Sequence, residues 1–61
     1  MMNVGDRVKV SHPYGVAFFA TVRCIWLRHV MIRYNGESVI LRRDEYTFQV
    51  VEKRPRPWHW S

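Results

Sequence analysis

Apolar and polar positions alternate along this chain in short stretches, with no run at helical spacing, so the pattern predicts strands throughout. The clearest stretch is residues 30–41, Val-Met-Ile-Arg-Tyr-Asn-Gly-Glu-Ser-Val-Ile-Leu. Asn35-Gly36 sits between two β-branched, apolar runs and predicts a two-residue hairpin, because a type I′ turn needs φ > 0 at both central positions. Such a turn sets the register. Tyr34 then lies opposite Glu37, Ile32 opposite Val39 and Val30 opposite Leu41 on one face. Met31 lies opposite Ile40 and Arg33 opposite Ser38 on the other. A slip of one residue would exchange the two faces.

Three further strands and their connections surround the hairpin. Residues 4–10 alternate, with Val8 and Val10 on one face and Arg7 and Lys9 on the other. Ser11-His12-Pro13-Tyr14-Gly15 is turn chemistry. Residues 18–27 predict a long strand whose inward set is Phe18, Ala20, Val22, Cys24 and Trp26, since the other parity holds Arg23. Leu27-Arg28-His29 is a short connection. Arg43-Asp44-Glu45-Tyr46 predicts a polar turn or a single turn of 3₁₀ helix, and residues 47–51 a last strand. Arg54-Pro55-Arg56-Pro57-Trp58-His59-Trp60 is a tail excluded from a central strand, because proline lacks a donor.

Extending the hairpin register back across the connection sets Trp26 against Val30, Ile25 against Met31, Cys24 against Ile32 and Arg23 against Arg33. The core then consists of the rows Trp26/Val30/Leu41 and Cys24/Ile32/Val39. Outside lie an apolar row, Ile25/Met31/Ile40, and a row in which Arg23 and Arg33 face each other. Five short strands with tight connections predict an all-β fold, a small five-stranded antiparallel barrel, closed or nearly so. With 61 residues there is room for one such domain, residues 1–53, followed by the basic aromatic tail, residues 54–61.

Composition narrows the chemistry. The single cysteine, Cys24, excludes an intramolecular disulfide, and one Cys with three scattered His residues makes no structural zinc site. No cofactor is expected. No stretch has the length of a membrane span, and Asp6, Arg7 and Lys9 fall where the apolar run of a leader peptide would stand. The expectation is a cytoplasmic protein without a membrane partner. The formal charge is +5, and Arg predominates over Lys among the basic residues. Arg is favoured where planar contact with phosphate or carboxylate matters.

Val4-Gly5-Asp6-Arg7-Val8-Lys9-Val10 resembles the opening strand of SH3-like small barrels, especially KOW and Tudor-type domains. Phe18-Phe19-Ala20-Thr21-Val22-Arg23-Cys24-Ile25 is similar to the Tudor second strand, and Ile32-Arg33-Tyr34-Asn35-Gly36 to its third strand and turn. The resemblance spans residues 4–52. It implies an SH3-like barrel, with Tyr14, Phe18 and Tyr34 near the positions of an aromatic cage for a methylated Lys or Arg. Core packing is the competing role for Phe18 and Tyr34. Gly5-Asp6-Arg7-Val8 also resembles the opening of plasmid-type dihydrofolate reductases. Their Val-Gln-Ile-Tyr segment corresponds here to Val39-Ile40-Leu41-Arg42, which lacks the Gln and the Tyr. His12, His29 and His59 lie in separate turns or the tail, with no carboxylate at a telling spacing. No enzymatic activity is expected.

The remaining signals describe a binding surface. An anion bridging Arg23 and Arg33 would remove the cost of like charges in register. Arg42 and Arg43 extend that surface. In the tail, Arg54 and Arg56 accompany Trp58 and Trp60, a combination suited to holding phosphates and stacking bases. The same indoles could instead fold back onto an undersized core. The leading expectation is a module that contacts nucleic acid, an acidic partner or a ribonucleoprotein. The alternative is a protein-interaction module or homodimer that buries Ile25, Met31 and Ile40.

Overall fold

Five antiparallel strands form one sheet in a computed structural model that describes residues 2–53. They are β1 (Arg7–Ser11), β2 (Ala17–Ile25), β3 (His29–Tyr34), β4 (Glu37–Arg42) and β5 (Thr47–Glu52). Their order across the sheet is β4-β3-β2-β1-β5, so β1 is flanked by the strand that follows it and by the last strand. The all-β, five-stranded antiparallel fold is as expected; of the closed or nearly closed barrel, full closure is not seen, since the two end strands do not pair among the described residues.

The central hairpin has the expected register at every position from Val30↔Leu41 to Tyr34↔Glu37. Asn35 and Gly36 have φ of 53° and 79°, the left-handed pair that a type I′ turn demands. Neither strand of the hairpin slips, so Val30, Ile32, Val39 and Leu41 share the inner face.

Pairing between β2 and β3 departs from the expectation. Val22 faces Ile32 and Cys24 faces Met31, leaving Arg23 as the extra residue of a β-bulge. Beyond the bulge Ile25 faces Val30 and packs against the core. Before it, Arg33 faces Thr21. Arg23 and Arg33 are thus not a facing pair. Cys24 and Trp26 do not point inward either, because the extra residue exchanges the two parities of β2 from that point on. The outer apolar row is accordingly Cys24/Met31/Ile40, and Ile25 does not belong to it. The other strand boundaries differ modestly: β1 begins at Arg7, and residues 43–46 form a turn without a 3₁₀ segment.

Val8, Val10, Val22, Val30 and Ile32 have no exposed surface. All stand on one face of one sheet, so the sheet must curl over that face. The natural twist of antiparallel strands supplies curvature of this kind. Complete burial contributes roughly 1.5–3 kcal/mol for each such side chain. Phe18, Tyr46, Phe48 and Val50 pack around this cluster.

Among the described residues one buried group is charged. Asp6 is almost fully enclosed; its Oδ2 accepts from the Asn3 amide at 2.8 Å and from Lys53 Nζ at 3.4 Å. The carboxylate ties the approach to β1 to the residue just past β5. Its main-chain oxygen accepts from the Val22 amide at 2.9 Å, which continues the β1–β2 ladder by one step.

Candidate functional site

Residues 26–28 connect β2 to β3 as a tight loop. The Trp26 amide donates to the His29 carbonyl at 2.8 Å, so these two residues continue the β2–β3 ladder beyond Ile25↔Val30. His29 in turn faces Arg42. Trp26, His29 and Arg42 therefore form one outer row at the end of the sheet, above the row Cys24/Met31/Ile40.

Arg43, just past β4, holds this loop at two points. Its amide donates to the Arg28 carbonyl at 2.9 Å, and its Nη1 donates to the Trp26 carbonyl at 3.0 Å. These contacts draw the β4–β5 turn against the β2–β3 loop. A pocket of about 390 Å³ opens between them, lined by Leu27, Arg28, His29, Arg42, Arg43 and Asp44. Three arginines and one aspartate are among the lining residues, a net of +2. Arg42 Nη2 and Asp44 Oδ2 lie 3.0 Å apart, both well exposed. Surface pairs of this kind contribute only about 0.2–1 kcal/mol, so an incoming anion can displace Asp44 from Arg42 at little cost.

The structure gathers some of the expected site residues and leaves others apart. Arg42 and Arg43 both reach the pocket. Arg33 lies on the same outer face, separated from Arg42 by the Met31/Ile40 row, and Arg23 is exposed at the bulge. Arg28 and His29, read from the sequence only as a connection, complete the pocket. The signal for them was the possibility of a two-residue loop, Leu27-Arg28, closed by a Trp26–His29 pair. Arg54, Arg56, Trp58 and Trp60 lie outside the described residues.

The aromatic residues fall into two groups by ring contact. Phe18 and Tyr34 have centroids 4.6 Å apart at the inner edge of the sheet. The rings of Tyr14 and His12 lie 5.2 Å apart, tilted by 31°, and His12 meets Tyr46 edge-on at 5.0 Å. Tyr14 is 89% exposed, at the tip of the β1–β2 connection. Met31 is half-buried in its outer row, whereas Ile40 is 56% exposed.

Among the described residues no group of three His, Cys, Asp or Glu side chains is placed to hold a metal ion. No helix there is long and apolar enough to cross a membrane. Comparison with protein-family models, curated proteins and solved structures finds no match to this chain.

Proposed function

We propose that this chain is a non-enzymatic binding module whose ligand is nucleic acid, free or within a ribonucleoprotein, engaged through its arginine-rich outer surface. The observation that supports this reading best is the convergence of Arg28, Arg42 and Arg43 on one pocket beside His29. Guanidinium groups bind phosphate oxygens in planar, two-point fashion. Among the described residues, a weak surface pair with Asp44 is what competes for Arg42. Arg23 and Arg33 add cationic points on the same outer face, and the net charge of +5 would speed the approach of a polyanion.

The test is binding of a fluorescent oligonucleotide, measured by anisotropy over a series of salt concentrations. The wild-type protein should lose affinity steeply as salt rises. Arg28→Glu with Arg42→Glu should weaken binding and flatten the slope by about 0.7–0.9 for each phosphate contact removed. Equal affinity and slope in the double variant would remove this end of the sheet from the interface.

A second reading has an observation of its own, the outer row Cys24/Met31/Ile40 with Ile40 more than half exposed. Such a strip fits a protein partner or a second copy of the chain. Salt separates the two readings, since apolar contact persists where phosphate contact is lost.

A further inference from the structure

We propose that the nucleic acid bound at this end is single-stranded, with one base stacked on the Trp26 indole and the adjoining phosphate held by Arg28 and Arg42. The inference rests on the nucleic-acid reading above and specifies the form of the ligand. It starts from the position of Trp26. A regular β2 would bury this side chain opposite Val30. The extra residue at Arg23 turns Ile25 inward instead and leaves Trp26 on the outside, 44% exposed. An indole left in water forgoes much of the stabilisation that burial gives a large aromatic ring. The chain accepts that loss beside a loop whose Arg28 lines a pocket together with Arg42 and Arg43.

Trp26 and the pocket also belong to one frame. Its amide is bonded to His29, its carbonyl to the guanidinium of Arg43, and the amide of Arg43 to Arg28. These bonds fix the Trp26 main chain against the loop that carries Arg28 before any ligand arrives, which lowers the ordering cost of binding. Stacking on a side chain requires an exposed base face. Inside a duplex each base face is covered by its neighbour, so the arrangement selects an unpaired strand. Arg43 is the positioning residue here, because its main chain and side chain both brace the loop.

Phe19 provides an internal comparison. It is exposed on the outer face of the same strand, but its pairing partner in β1 is the single cation Lys9, and it is remote in register from the pocket. General stickiness of exposed rings would make Phe19 and Trp26 equivalent. Stacking at the pocket would not.

The experiment measures anisotropy of a labelled oligothymidylate of about 12 nucleotides, alone and annealed to oligoadenylate, with the full chain at constant salt. The single strand should bind more tightly than the duplex. Trp26→Ala should weaken single-strand binding roughly 5- to 150-fold, leave the salt slope unchanged and keep the melting temperature near wild type. Trp26→Phe should retain most of the affinity, and Phe19→Ala should be close to wild type. Equal binding of both forms with a silent Trp26→Ala would overturn the inference and leave the nucleic-acid reading standing. Losses of equal size in Phe19→Ala and Trp26→Ala would overturn it as well. Failure of both oligonucleotide forms to bind wild-type protein would dismiss the underlying reading together with the inference.

Discussion

The two hairpins that share β3 differ in what sets their register. Between β3 and β4 a two-residue turn with φ > 0 at Asn35 and Gly36 dictates every pair from its first step. Between β2 and β3 the connection closes at Trp26 and His29, but the ladder then absorbs an extra residue at Arg23 and shifts. A turn that admits one backbone geometry leaves the strands no choice. A long strand with apolar residues on both parities can place a bulge wherever packing favours it. The first hairpin supplies a rigid inner face, and the second decides which large side chains reach the outside.

The largest expected effect comes from disturbing the turn-set register. Deletion of Val39 should prevent cooperative folding, seen as loss of a thermal transition in circular dichroism. The turn would hold Tyr34 against Glu37, so every residue after the deletion would change face. Leu41, partly buried, would move outward and Arg42 would turn toward the core, forfeiting part of the ~1.5–3 kcal/mol that full burial gives such a side chain and desolvating a charge. For a chain of this size total stability is only about 3–9 kcal/mol.

Gly36→Val comes next. A Cβ at Gly36 would meet nothing within 4 Å, so any cost arises from the φ of +79° alone. That cost is about 1–2 kcal/mol, the usual penalty of a left-handed conformation for a residue with a side chain. Chemical denaturation should show it as a lowered midpoint, with Gly36→Asn recovering most of the loss because Asn tolerates this region. Unchanged midpoints in Gly36→Val would mean that the turn does not set the register.

Legibility in the sequence follows the same division. The hairpin could be read because Asn35-Gly36 has a conformational requirement that few other dipeptides meet. The bulge left no comparable trace. Cys24 and Trp26 on one parity and Ile25 on the other are all apolar, so either assignment yields an acceptable core. Arg23 is polar in both. Closure of the barrel was inferred from the need to dispose of sheet edges, a general tendency that does not specify whether β4 and β5 meet. Of the pocket, Arg42 and Arg43 stood out as basic residues after a strand. Arg28 and His29 did not, because their place depends on a contact between two loops that sequence proximity does not reveal.

The smallest effect is expected at the bulge itself. Deleting Arg23 leaves Val22 and Ile25 facing inward and Cys24 facing outward, each with its present partner on β3. The cost should stay below that of Gly36→Val, and cross-strand nuclear Overhauser effects between Cys24 and Met31 should persist. A deletion mutant as unstable as the Val39 deletion would show that the bend at Arg23 is needed for curling the sheet over its core.

The place of β5 beside β1 has a consequence for the order of events in folding. Val8 and Val50, which it brings together, are 42 positions apart (50 − 8), whereas Tyr34 and Glu37 are separated by 3 (37 − 34). Closing the longer loop costs on the order of 2 kcal/mol more in chain entropy, and contacts of such separation slow folding. The β2–β3–β4 meander can assemble from near neighbours, with β5 docking afterwards. Transition-state analysis should give high φ-values at Ile32 and Val39 and low ones at Phe48 and Val50. Every residue that lines the arginine pocket lies between positions 27 and 44. On this order of events the arginine pocket would take shape in the half of the molecule that condenses first.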